Sequence, residues 1–176
     1  MKGAVAVLAV VIFLSCMYFR FTNIFITYES PIQAYDDENF GRYSAIAVLE
    51  GEKTAFVGDI EGHNAIYIRT NNGISDRWKL TRYDKMKIQN KYIDGIFFTI
   101  FYYDGTDDYY LDITETAFAE QHITSISDSR GSEFKIANGG AEFFAYINSF
   151  DDEYRVFVNG KEINLNSLYD VLGHHA

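Results

Sequence analysis

Eight consecutive residues, Ile96-Phe97-Phe98-Thr99-Ile100-Phe101-Tyr102-Tyr103, constrain the fold of this chain more than any other segment. A strand points successive side chains to opposite faces, so a run with no polar alternation needs apolar cover on both. The run ends at Asp104-Gly105, residues that tolerate the positive φ angles of a type I′ hairpin turn. Its expected partner, Tyr109 to Thr114, places Asp112 between Leu111 and Ile113. This pair reads as the middle of a sheet.

The same grammar recurs along the chain. Short β-branched and aromatic runs punctuated by Gly, Asn and Asp predict strands at 24–28, 43–49, 53–60, 64–69, 77–81, 96–103, 109–114, 123–127, 133–137, 141–148, 154–158 and 162–165. Val158-Asn159-Gly160-Lys161 predicts a second two-residue hairpin. Near the end, Asn166-Ser167 can cap a short helix whose Leu168, Val171 and Leu172 share one face before Gly173 stops it. Thr114 to Gln121 is expected to hold a helical turn with Phe118 packed inward. The segment 31–41, with the only proline and Asp36-Asp37-Glu38, reads as an irregular spacer. The expected fold is mainly β: an antiparallel sheet, sandwich or partly open barrel, with an N-terminal transmembrane helix and a short C-terminal helix. Its expected divisions are 1–22 as membrane anchor or signal segment, 23–42 as membrane-proximal strand and spacer, and 43–176 as one β-rich domain.

The membrane expectation comes from Ala4 to Phe19, sixteen residues without a charge. About 17 to 25 apolar residues are needed to cross a hydrocarbon core of about 30 Å. An uncleaved anchor fits best, with Lys2 on one side and Tyr18, Phe19 and Arg20 as an aromatic and basic border on the other. A lipoprotein is the rival: Leu14-Ser15-Cys16 resembles the end of a lipobox, with Cys16 as the lipidation site, although Phe13 and the apolar Met17 to Phe19 depart from the usual pattern. Cleavage by a signal peptidase lacks small residues at the required positions after Ala9.

Net charge is -10, and beyond Arg20 there are 13 bases against 25 acids with no basic run. Counterion release from a phosphate backbone needs clustered Lys and Arg, so nucleic acid is not an expected partner. The only cysteine lies in the apolar run and no Asn-x-Ser/Thr acceptor occurs, which points to a bacterial envelope. The expected location is the inner membrane, single-pass, with the C-terminal domain facing the periplasm. No cofactor is expected.

Chemistry-bearing clusters are few. Asp104-Gly105-Thr106-Asp107-Asp108 puts oxygens near a calcium-loop register, but Tyr109 stands where glycine is obligatory, so a solvated hairpin tip is the expectation. Carboxylates such as Asp59, Glu61, Asp107 and Asp108 would suit an envelope hydrolase only at a defined separation across a cleft. Tyr67 to Trp78 resembles the Asp-box hairpin of sialidase-like propellers, but the Gly-to-Trp distance is longer, Asn72 replaces Asp and the box is not repeated. No propeller follows from it. The candidate binding residues are Trp78, Tyr109, Tyr110, Asp104, Asp107 and Asp108, aromatic and acidic groups suited to a protein or a glycan. The functional expectation is a membrane-tethered binding domain whose partner is another protein, of the inhibitor or immunity type. A carboxylate hydrolase and a glycan-binding module are the alternatives.

Overall fold

In a computed structural model, residues 2–22, 26–71, 76–81 and 85–171 are described. The apolar run is helical, forming α1 (Lys2–Thr22). Then come α2 (Pro31–Glu38), β1 (Ala45–Glu50), β2 (Thr54–Asp59), β3 (Ala65–Asn71), β4 (Asp76–Leu80), β5 (Met86–Ile93), β6 (Ile96–Tyr103) and β7 (Asp108–Glu115). The chain continues through β8 (Ile126–Asp128), β9 (Phe134–Ala137), β10 (Glu142–Asn148), β11 (Arg155–Val158), β12 (Lys161–Asn164) and α3 (Asn166–Val171). Every strand pair is antiparallel.

Three sheets stack, with β6 in the middle one. The central sheet has the order β5-β6-β7-β10-β9, flanked by β1-β2-β3-β4 on one side and β12-β11-β8 on the other. Phe98, Ile100, Leu111, Ile113, Phe143 and Ile147 share a core with Val156, Val158 and Ile163 of the third sheet. From the opposite face, Phe101, Tyr110 and Phe144 pack on Ala47, Leu49, Phe56 and Ile66 of the first sheet. The strand therefore has no polar alternation because neither face of its middle meets water. On the outer face of the first sheet, α2 supplies Ala34 and Tyr35 to a core with Ala55, Val57, Tyr67 and Trp78.

Several expectations need correction. The 31–41 segment is not irregular: the Ser30 hydroxyl accepts from the Gln33 amide at 3.1 Å and Pro31 opens the helix, a strong local start signal. Strand β5 was not expected, because Lys87, Gln89, Asn90 and Lys91 dilute its pattern; the turn after it, Asp94-Gly95, has φ of 50° and 84° and is as legible as Asn159-Gly160 at 51° and 77°. No helix forms at 114–121. Instead the Glu115 carboxylate accepts from the Ile123 amide and closes a loop that leaves Phe118 83% exposed. The C-terminal helix forms as expected, with Leu168 buried; residues 23–25, 72–75, 82–84 and 172–176, including Gly173, His174 and His175, lie outside the described residues.

The expected transmembrane helix is not supported by the fold. Among the described residues no helix is long and apolar enough to cross a membrane. The described side chains of α1, Val5 to Met17, are all exposed.

Candidate functional site

The residues chosen from sequence are mostly structural. Asp108 is buried, not solvated at a hairpin tip. Its carboxylate accepts from the backbone amides of Glu52 (3.0 Å), Lys53 (2.7 Å) and Thr54 (2.7 Å), from the Thr54 hydroxyl and from the Tyr146 hydroxyl at 2.8 Å. Burial works to raise its pKa, but these donors outweigh it and hold the carboxyl below its ordinary value. A Cβ at Gly51 would lie 2.6 Å from this carboxylate, so only glycine lets the β1–β2 turn close over it. Tyr109 is buried against the third sheet's core and Tyr110 against the first sheet, its hydroxyl 2.9 Å from that of Thr54. Trp78 lies under α2 with Arg69 stacked on its ring, which removes it from any ligand surface. Of the six, only Asp104 and Asp107 face solvent, near Lys85 and Lys53 respectively.

The hydrolase carboxylates do not converge. Asp108 binds the Thr54 end of β2 and Asp59 stands at the other, about 17 Å of strand away at 3.3 Å per residue. Glycosidase carboxyl pairs stand about 5 to 9.5 Å apart. Asp59 is itself saturated: it accepts from the Tyr35 hydroxyl (2.5 Å), the Glu61 and His63 amides and, at 3.1 Å, pairs with His63 Nδ1. Burial opposes its ionisation, but the Tyr35 hydroxyl and those amides keep its pKa low. The dyad closes the β2–β3 turn, and Tyr43 stacks on the imidazole with ring centroids 3.9 Å apart. Asp128 plays a similar part near the third sheet, accepting from the Tyr154 hydroxyl and the amides of Arg130 and Ser132.

A different region brings exposed groups together. The first sheet covers only part of the central sheet. Where cover stops, Ile88 and Tyr92 of β5 and Phe97 of β6 stay on the same face, at 46%, 51% and 43% exposure. Tyr92 and Phe97 are cross-strand partners with ring centroids 4.7 Å apart and planes inclined at 47°. This face runs into a cleft of about 260 Å³ between the two sheets and the end of α2, lined by Met86, Ile88, Phe101, Ile66, Leu80 and, at the polar side, Glu38, Asn39, His63 and Asn64. Glu38 accepts from the Tyr67 hydroxyl at 2.9 Å, and burial raises its pKa despite that bond.

Two further carboxyls lie on the same face of the central sheet. Asp112 pairs across strands with Phe144, and Glu142 with Thr114, so the two acids are diagonal neighbours, both buried. Burial, then the charge of Glu142, pushes Asp112 up to about 7; burial, then Asp59, raises Glu142. Neither lines the cleft. Among the described residues no group of three or more His, Cys, Asp or Glu is arranged to hold a metal ion. Set against known proteins, the chain matches no family model, no curated sequence and no solved structure.

Proposed function

We propose that this protein is a binding domain held at a membrane by α1, facing outside the cytoplasm, that recognises another protein on the uncovered part of its central sheet. One observation carries the reading: Ile88, Tyr92 and Phe97 stand exposed on one face of the central sheet beside a cleft, with the Asn90–Thr99 pair between Ile88 and the two rings. A soluble domain seldom leaves such a patch open without a use for it, and aromatic rings are enriched where proteins meet. The tether is supported by α1 itself, whose Val5, Leu8, Ile12 and Phe13 are more than half exposed. Lipidation of the exposed Cys16 is the alternative means of attachment.

The test is capture by the full chain, solubilised in mild detergent, from envelope extracts. A saturable partner should be retained by the natural chain and lost when Tyr92 and Phe97 are both replaced by Ser. Retention of the same partner by the double variant refutes the assigned face. Alkaline extraction of membranes checks the tether, since a chain recovered wholly in the supernatant is not held by α1.

A further inference from the structure

The turns at the two ends of the domain differ in character, and the difference has a use if α1 holds the chain at a membrane as described above. At one end the β1–β2 turn, Gly51-Glu52-Lys53, meets the β6–β7 turn, Asp104 to Asp107, because Asp108 accepts from the Glu52 and Lys53 amides. Both turns consist of Gly, Thr and charged residues. From that contact β2 runs to Asp59 and β7 to Glu115, and at this far end Asp59 is close enough for its charge to act on Glu142, the partner of Thr114. Here the segments carry large apolar side chains. Ile60, just after β2, is 60% exposed, and Phe118, after β7, is 83% exposed. Phe40 follows α2, whose Tyr35 donates to Asp59, and is also largely exposed.

The Phe118 loop is pinned in place. The Thr116 amide and hydroxyl both donate to the Gly95 carbonyl, and the Phe118 amide donates to that hydroxyl. A Cβ at Gly95 would lie 2.2 Å from the Ala119 Cα, so the loop presses on the β5–β6 turn. The chain enters the domain at the same end. The antiparallel bridge between Tyr28 and Trp78 directs the residues before Tyr28 toward Leu80, and Ile26 packs on the core beside Leu80 and Ala65, the residue that begins β3. Since α1 ends at Thr22, four peptide steps, at most about 14 Å, separate it from Ile26. Single exposed apolar side chains are ordinary, but these stand on separate segments at the end nearest the tether. We propose that this end of the domain rests on the lipid surface that holds α1, with Ile60, Phe118 and Phe40 inserted among the headgroups. The net charge of -10 makes the contact an apolar one, suited to zwitterionic lipid.

NMR of the full chain in phosphatidylcholine bicelles, with and without a doxyl-labelled phosphatidylcholine, reads the contact. The expected result is paramagnetic relaxation of the Ile60 methyls and the Phe118 ring at least threefold above that of the Gly105 amide in the opposite turn. Replacing Ile60 and Phe118 together by Ser should bring the His63 and Ala119 amides down to the Gly105 level while α1 stays affected. Relaxation at the Val5 and Leu8 methyls of α1, with Ile60 and Phe118 no different from Gly105, overturns the inference and spares the tether. No relaxation at α1 overturns both. Broadening of Ile60 that follows protein concentration and not the doxyl lipid marks a second copy at this end and overturns the lipid assignment, as does relaxation of His63 and Ala119 that survives the double substitution.

Discussion

Replacing Asp112 by Asn tests whether this interior carboxyl acts against the fold at neutral pH. The folded pKa is about 7 against 3.8 for the free group, because the side chain is 7% exposed and faces Glu142. The sign follows from proton counting. Between pH 3.8 and about 7 the native state holds a proton that the unfolded state has released, so stability falls as pH rises through that window and is flat above it. Three units at about 1.36 kcal/mol each amount to about 4 kcal/mol. Asn does not titrate and keeps an oxygen for the Thr114 hydroxyl, which donates to Asp112 at 3.0 Å. The variant should therefore match the natural chain near pH 4 and exceed it by about 2 to 4 kcal/mol at pH 8. Urea unfolding followed by the single tryptophan, buried Trp78, reads this difference in detergent-solubilised protein. Groups that titrate alike in both proteins cancel in the difference. Parallel stability curves for the two proteins from pH 4 to 8 would refute the reasoning, as would a gain at pH 8 that Glu142→Gln does not partly reproduce.

Two other substitutions probe the turn that sits on Asp108. Asp108→Ala leaves three amides and the Tyr146 hydroxyl without their acceptor and should cost about 3 to 5 kcal/mol, read by the same unfolding assay. Since Asp108 is held below its ordinary pKa, its contribution is complete above 3.8 and disappears as pH falls below that value, so the variant should differ least from the natural chain in acid. Gly51→Ala places a methyl 2.6 Å from the Asp108 carboxyl and 2.7 Å from the Tyr146 ring, and should lower the unfolding midpoint in urea without changing partner capture.

Much of the local structure was legible because its causes are local. Strand β6 is bounded as its apolar run predicts, Asn159-Gly160 turns with both φ angles positive, and Asn166-Ser167 begins a helix. The Ser30-Pro31 start of α2 and the Asp94-Gly95 turn after β5 obey the same rules and were equally available; the acidic tail of the one and the lysine-rich pattern of the other obscured them. The candidate site was far less legible. Tyr92, Phe97 and Ile88 look like ordinary strand residues in sequence. Trp78, Tyr109, Tyr110 and Asp108 look like surface chemistry and are interior.

What the sequence determined by itself was periodicity: which residues are extended, where the chain reverses, and that one strand needs cover on both faces. The tertiary structure alone decided which face receives that cover. A strand's alternation sorts its side chains into two sets, but whether a set meets water depends on a sheet built from residues far away in the chain. The β1–β2 turn of the first sheet closes over Asp108, Asp112 is buried, and Tyr92 and Phe97 stay open, so the acids became interior groups and the plain aromatics became the exposed face.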